Sequence, residues 1–583
     1  MINFFKKYWL VIVLAILIGF VHYFPQVLFE YQLGSDYQGF YILTSSDEYT
    51  KIAKVQEIYD GHYLFTSASV YEYKDSSSPD GFTITELLIG LIGRILYLSA
   101  VQVALLFKFI LPIILFLLLY YLSFLITGSK IGSLITPSLI LLGSQLKSPQ
   151  LIPGIIKQII NFQYEGSLVY LRPSHPSFSS IFFFTVFIFL FLFFKTKKLS
   201  YGFLAGLFLG LLFYIYAFFW VFTLVLFGVI IGYLILKRDW HFLKKILLIL
   251  LLGLFIGSFF LYDFFYRVSF ETTVDSLQIR QTFFHTHHFI FDKIVIVPFL
   301  IYSFFLLYLY KKNKFKEEFF FPYFLLIASL IVSNQQVITG REIQPHHWYW
   351  FTNLPAAFFA SSVLVIYFLE NLKIKNLFKN VIIFLILLFL IIFGTGIQYS
   401  YYQVHFADYR YYQNYSYIFN WLNKNTSKDS VVYSDYYLSD YIPAFTHNNV
   451  YWSGSVKNNP NTPIERVFHN YFVYIKVNFN TDEEEIRQYL QEYKDEVGCM
   501  VLSFEIIEAQ CGGSRTCYSD EILDFLAEEY KRFLQLPLEE QLKRYRIDYL
   551  VWNYNKYPNI YIDLERFFES VFEYQGIIIY KIK

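Results

Sequence analysis

About eleven runs of roughly twenty apolar residues, joined by short basic turns or long polar loops, leave this chain few folds to choose from. A bilayer's hydrocarbon core is about 30 Å thick and a helix rises about 1.5 Å per residue, so each such run reads as a spanning helix. Spans are expected near 8–24, 102–126, 131–146, 177–194, 200–215, 217–236, 244–262, 294–310, 319–333, 349–369 and 379–399. The first run follows Lys6-Lys7 but lacks a small-x-small cleavage site, so it reads as a retained anchor.

Charge divides the chain in two. Residues 400–583 hold 18 of the 47 Lys/Arg and 26 of the 46 Asp/Glu, about 24% charged, the density of a soluble domain. Residues 1–399 are only about 12% charged, as suits a domain dissolved in lipid. The overall 56% hydrophobic and 22% aromatic content excludes a disordered chain, a disulfide-rich miniprotein and an ordinary cytosolic enzyme. The net charge of +1 gives no electrostatic footprint for nucleic acid. The fold class expected is an α-helical polytopic membrane domain over 1–399, followed by an extracytoplasmic α/β domain over 400–583.

Orientation follows from the cations. With the N-terminus in the cytoplasm and alternating spans, the cytoplasmic turns hold Lys6, Lys7, Lys130, Lys195, Lys197, Lys198, Lys237, Arg238, Lys244, Lys245, Lys311, Lys312, Lys314, Lys316, Lys373, Lys375 and Lys379. Their only acids are Asp239, Glu317, Glu318 and Glu370, which is the positive-inside pattern. An odd number of spans then puts the tail outside a plasma membrane. The outer loops are long: 25–100, with a helix near 47–59 and an amphipathic one near 84–98 suited to the membrane surface, then 147–176, 263–293 and 334–348. The tail alternates strand candidates at 431–433, 497–504, 549–552 and 576–581 with helices near 415–423, 482–494, 520–534 and 562–570. Cys499, Cys511 and Cys517 lie in it. Cys511 and Cys517 are spaced for a small loop disulfide, and C-x5-C alone is a poor zinc signature.

The reactive side chains gather in the outer loops, with none expected at mid-membrane, which argues against a coupled transporter. Ser45-Ser46-Asp47-Glu48-Tyr49 stands at a helix start in the first loop. A carboxylate there can serve as general base towards an acceptor hydroxyl, or can simply cap the helix and favour its dipole. Asp36 is a second acid near the membrane exit, or a turn residue beside Gly34. Arg172 and His175, in Tyr170-Leu171-Arg172-Pro173-Ser174-His175-Pro176, offer a guanidinium fork and an imidazole for a phosphate, or an interfacial anchor for the next helix. Arg280 with His285, His287 and His288 fits phosphate or substrate contact better than a metal, because no Cys or carboxylate is suitably spaced, or the three imidazoles are plain surface histidines. Arg341, His346 and His347 lie in a loop dense in amides and aromatics, the side chains that recognise sugars, or that make a polar loop with an interfacial aromatic belt. A polyprenyl-phosphate donor suits such a boundary, with its chain in lipid and its charged head among cations.

This arrangement resembles the GT-C superfamily of membrane glycosyltransferases, such as the protein O-mannosyltransferases and lipid A aminoarabinose transferases. The likeness rests on the many spans over 1–399, the long first outer loop with surface helices, and Asp47-Glu48 soon after the first span. The tail segments Trp421-Leu422-Asn423-Lys424-Asn425, Asp440-Tyr441-Ile442-Pro443-Ala444-Phe445-Thr446 and Tyr545-Arg546-Ile547-Asp548-Tyr549 are similar to tails of bacterial members. The resemblance implies Asp47 as the base and outer-loop Arg and His residues at the donor phosphate. It implies a polyprenyl-phosphate-linked sugar donor, an acceptor that is a glycan, lipid or protein, and direct, inverting displacement. Metal-dependent members carry further acids in later loops. Here the second long loop offers Glu165 and the third Glu271 and Asp275, so no cofactor is expected and a divalent metal is not favoured. The competing readings are a lipid-linked-sugar flippase or transporter and a noncatalytic envelope assembly protein.

Overall fold

The computed structural model describes every residue except 1, 45, 64–66, 75–83, 269–282, 344, 454–461, 502–519 and 562–563. The chain forms two compact units. One comprises Met1–Gly34, Ala104–Tyr262 and His285–Arg410, and the other Ser35–Val103, Asp263–Phe284 and Tyr411–Lys583.

The first unit holds the bulk of every candidate span. Among the described residues nine helices are long and apolar enough to cross a membrane: Tyr8–Asp36, Ala100–Thr127, Pro173–Thr196, Ala217–Lys237, Trp240–Asp263, Lys293–Lys311, Glu317–Thr339, Pro345–Asn371 and Asn376–Asn425. Two shorter apolar helices, Gly132–Leu142 and Leu199–Leu212, account for the other runs expected from the sequence. The protein is therefore a multi-pass membrane protein.

Packing inside this unit relies on rings and on small residues. Phe183 stacks on Phe219 with centroids 4.3 Å apart and also meets Phe222 and Phe187, which meet each other in a shared aromatic core. Leu199–Leu212 approaches the Trp240–Val268 helix so closely that a Cβ at Gly206 would lie 2.8 Å from the Ile249 carbonyl oxygen. Small residues permit this approach where lipid supplies no hydrophobic drive between helices. Two cytoplasm-assigned turns are built by their basic residues: Lys197 and Arg238 take the left-handed conformation that ends the Ser179–Thr196 and Ala217–Lys237 helices. Further along lie two three-residue strands, Phe283–His285 (β1) and Arg341–Ile343 (β2).

The second unit is built on a five-stranded mixed sheet. Its strands are Val431–Tyr433 (β3), Asn449–Val450 (β4), Tyr549–Asn553 (β5), Phe568–Tyr574 (β6) and Ile577–Ile582 (β7), in the order β4-β3-β5-β7-β6. β3 runs parallel to β4 and β5, and β7 runs antiparallel to β5 and β6, pairing Val551 with Ile579. The continuous apolar runs of β3 and β5 are buried throughout, as central strands require. The first long loop belongs to this unit. Its Ser69 carbonyl accepts the Val450 N–H at 2.8 Å along β4. Its helix Ile84–Ile95 packs on Ser46–Asp60 where a Cβ at Gly90 would lie 2.9 Å from Ile58.

Two tail expectations are corrected. Residues 497–500, read as the start of a strand, belong to the helix Lys494–Met500, and 502–504 lie outside the described residues. Asp495 and Glu496 favour that helix's positive end, and the buried Val497 and Met500 share a face at helical spacing. The expected helix 562–570 is limited to Leu564–Phe567, and β6 follows at once. Here tertiary pairing overrides local propensity. The two-residue turn Gln575-Gly576, both with positive φ, folds β6 back onto β7. The helices Tyr436–Phe445 and Ile464–Phe479 and the strand β4 were not legible in the tail's periodicity. Of the three cysteines, Cys511 and Cys517 lie outside the described residues.

Candidate functional site

In the second unit the helix Ser46–Asp60 carries the acidic pair on opposite terms. Glu48 is 2% exposed, and one carboxylate oxygen accepts both the backbone N–H and the hydroxyl of Thr44, each at 2.8 Å. It fastens the incoming chain to the helix start, a capping arrangement. Asp47, one residue earlier, is exposed. The helix is anchored next to them: the hydroxyls of Tyr49 and Tyr441 lie 2.8 Å apart and their rings meet edge to face at 4.2 Å. Tyr441 also packs on Phe40, which stacks on Phe445 at 4.8 Å. Asp36 is exposed in the single turn Gly34–Asp36.

In the first unit two prolines shape the second cluster. Residues before proline are driven out of the α-region, and Arg172 (φ −81°, ψ 125°) and His175 (φ −139°, ψ 129°) are both extended just before the Ser179–Thr196 helix. Both side chains are half-buried. The Ser179 hydroxyl donates to the Pro176 carbonyl at 3.0 Å and lies 2.7 Å from His175 Nδ1. The His175 ring stacks on Tyr216 at 3.5 Å, and the Tyr216 hydroxyl lies 2.5 Å from Nδ1 of His347. His175 and His347, 171 to 176 and 345 to 348 in separate segments, thus stand with ring centroids 6.5 Å apart, framed by Phe218 and Phe351.

The remaining loop residues form a neighbouring polar layer of the same unit. Thr286 N–H donates to the Gly340 carbonyl, the Gln336 amide to the His288 carbonyl, and Ile290 N–H to the Asn334 side chain. His287 Nδ1 lies 3.1 Å from the Val337 carbonyl. His287, His288 and His346 are exposed. His285 ends β1 and Arg341 opens β2, while Arg280 lies outside the described residues.

Sequence reading missed several participants. Tyr216 and Ser179 looked like ordinary members of apolar or interfacial stretches, and nothing in their spacing marks them. Lys108 had a signal: it is a lone charge in an apolar run and is 4% exposed within Ala100–Thr127. The expectation of no ionisable group at mid-membrane is corrected by His22. The first helix runs past 24 to Leu33, which leaves His22 halfway along Tyr8–Asp36, 1% exposed, with Nδ1 2.8 Å from the Ile18 carbonyl.

Among the described residues one group has ligand atoms spaced for a metal: Glu57, His62 and Asp429, all within 4.8 Å of one another. The Lys74 ammonium already stands in it, 3.0 Å from Glu57 and ion-paired with Asp429. Burial holds the Glu57 carboxyl up at about 8, against the opposing pull of Lys74. Partial burial also resists ionisation of Asp429, but the hydrogen bond and charge of Lys74 and the Asn449 amide hold that carboxyl below its usual range. One cation therefore neutralises one carboxylate, Asp429, and Glu57 stays protonated at neutral pH. The lysine supplies the positive charge that a metal would bring.

No protein-family model matches the chain, and no curated protein matches it. Two solved structures are similar to it: ArnT from Cupriavidus metallidurans bound to undecaprenyl phosphate, and ArnT from Cupriavidus metallidurans in the apo state. Each is 10% identical and matches over 99% of this chain, covering 98% and 97% of its own chain with TM-scores of 0.48 and 0.47.

Proposed function

We propose that this protein is an integral membrane glycosyltransferase that takes a sugar from a polyprenyl-phosphate carrier and passes it to an acceptor hydroxyl on the outer face. The observation that carries the reading is the meeting of His175 and His347 around Tyr216, with Arg172 three residues from His175. Cationic and N–H donor groups at the end of a spanning helix suit a lipid phosphate, whose charge grows as the anomeric bond breaks. Arg172 binds that leaving phosphate by its fork, and His175 and His347 add hydrogen bonds. Arg341, Arg280, His285 and the exposed His287, His288 and His346 contact the sugar or its phosphate.

Asp47 is the general base. It is exposed at the mouth of a helix whose start Glu48 secures, so the two acids divide the work of reaction and support. Attack of the deprotonated hydroxyl opposite the phosphate inverts the anomeric centre. The basic turns put the N-terminus in the cytoplasm and the second unit outside. No metal takes part in this scheme.

The test is transfer from a labelled polyprenyl-phosphate sugar in membranes. Asp47→Asn is expected to cut transfer by about 10²- to 10⁴-fold with the fold intact. Undiminished transfer in that variant removes Asp47 from the mechanism. The buried His22 and Lys108, both inside candidate spans, favour transbilayer movement of the lipid-linked sugar instead. Flipping by purified protein in liposomes, unaffected by Asp47→Asn, would support that competitor.

A further inference from the structure

We propose that Tyr216 is a positioning residue of the phosphate site, fixing the two histidines so that one presents an N–H and the other a site for a second proton. The inference rests on the reading of that site as the seat of a lipid-linked phosphate and names a residue which that reading does not require.

Tyr216 is held from behind. It is the residue before the Ala217–Lys237 helix, with an extended backbone (φ −162°, ψ 123°), and its carbonyl accepts the first-turn N–H groups of Phe219 at 3.1 Å and Trp220 at 3.4 Å. Its ring is packed edge-on by Phe219 at 5.0 Å and Phe351 at 6.2 Å. A side chain so gripped has little rotamer freedom left to lose, and its hydroxyl is a fixed point.

What that fixed point does follows from imidazole chemistry: the hydrogen bond at one nitrogen decides what the other offers. At His347 the Tyr216 hydroxyl meets Nδ1 at 2.5 Å. When the phenol donates, the neutral ring keeps its proton on Nε2. When His347 is cationic, Nε2 carries a proton as well. Both states present an N–H to an anionic oxygen. At His175 the bond runs the other way. The Ser179 hydroxyl gives its proton to the Pro176 carbonyl, so it accepts from His175 Nδ1–H. The neutral His175 ring then carries a lone pair on Nε2 and gains a second proton only on becoming cationic. The Tyr216 ring lies face to face against the His175 ring at 3.5 Å and 30°, which fixes the plane in which that imidazole sits. Tyr216 thus acts on both rings at once, through its hydroxyl on His347 and through its face on His175.

The experiment uses the full-length protein in phosphatidylcholine nanodiscs. A polyprenyl monophosphate is the binding probe, and donor KM and kcat for transfer are measured alongside. Tyr216→Phe keeps the ring and removes the hydroxyl. It is expected to weaken binding and raise donor KM about tenfold, with kcat held within about twofold, the effect of one lost hydrogen bond at a charged ligand. In a His347→Ala background the same substitution is expected to change nothing further, because its target is gone. Tyr216→Ala, which also removes the face under His175, is expected to lose at least tenfold more. Wild-type affinity in Tyr216→Phe overturns the proposal. So does a tenfold loss that persists without His347, since a merely structural tyrosine would act regardless of its partner. Failure of the wild-type protein to bind the probe is a different result: it removes the lipid-phosphate reading itself.

Discussion

The two units bury polar groups by opposite means. In the membrane unit the buried polar groups are mostly hydroxyls, amides and imidazoles among apolar side chains, with Lys108 a buried charge beside them, as with Tyr216 between His175 and His347. In the other unit, buried cations meet carboxyl groups and aromatic rings. Lys74 joins Glu57 to Asp429, and the fully buried Arg466 lies between the rings of Tyr451 at 4.6 Å and Tyr545 at 4.0 Å with Glu72 3.7 Å away. The difference follows from the solvent each unit folds in. A charge desolvated in protein surrounded by lipid has no cheap escape to water, whereas a water-soluble unit can carry one inward if another meets it. It also implies different failure modes, and these can be tested.

Lys74→Met should do the most damage. The lysine is nearly inaccessible and serves two carboxyl groups, so its loss strands the charge of the half-buried Asp429 beside the buried Glu57. Removing one member of such a pair typically costs about 3–5 kcal/mol. Denaturant unfolding, followed by tryptophan fluorescence, is expected to show that loss with little dependence on salt. A change below about 1 kcal/mol would mean that the ammonium is solvated and that the contrast between the units is false.

Phe219→Ala probes the membrane unit in its own terms. Phe219 is fully buried and stacks on Phe183, so truncation leaves a cavity worth about 3–4 kcal/mol. Its cost, read from thermal unfolding in detergent, should be nearly the same at pH 6 and pH 8, because most of the loss is the Phe183 stack and only the His175 ring, 5.8 Å away, brings an ionisable group to it. A marked pH dependence would show that the aromatic box and the histidines it frames are coupled more tightly than the geometry indicates.

Glu57→Gln tests the charged unit by titration. The folded Glu57 carboxyl titrates near 8 and an unfolded one near 4.5, so between those values the native state holds a proton that the unfolded chain has released. Stability should therefore fall as pH rises across this window, by at most about 1.4 kcal/mol per pH unit, and level off above pH 8. Lys74, Asp60, Asp429 and His62 surround the group and moderate the slope. The glutamine variant should lack this component. Parallel stability curves for the two proteins would place the proton elsewhere.

The same contrast governs what could be read from the sequence. The spans were legible because lipid imposes one long, uniform rule on each helix, and the eleven runs reappear as nine long and two short apolar helices among the described residues. Asp47 and Glu48 stood out as an acidic pair at a helix start, yet their division into an exposed and a capping carboxylate needed the Thr44 contact. Lys74, Glu57 and Asp429 were silent, because the pairing joins residues 355 apart and no local pattern marks a partner so distant. Residues 497–500 and 568–570 were misread where tertiary contacts decided between helix and strand, as the hairpin at Gln575-Gly576 does for β6. Tyr216 was silent for another reason: in a chain with 53 tyrosines, one more at a helix end carries no signal.

The smallest expected effect sharpens the comparison most. Thr136 sits fully buried in the membrane unit between two other hydroxyls, with Ser123 Oγ at 2.8 Å and Ser362 Oγ at 2.7 Å. In water-soluble cores an unmet hydroxyl is costly, and intuition assigns a higher cost still inside lipid. Hydrogen bonds between membrane helices nevertheless average only about 0.6 kcal/mol, because the separated helices find other partners within the bilayer. Ser362 has one ready, since its hydroxyl also reaches the Phe359 carbonyl at 2.8 Å. Thr136→Val keeps the shape and removes the bridge, and a shift of about 0.5–1 kcal/mol in unfolding free energy is expected in detergent or bicelles. A loss near the 3–5 kcal/mol assigned to Lys74 would mean that the membrane unit also depends on polar locks, and that its phenylalanine packing fills space without carrying the structure.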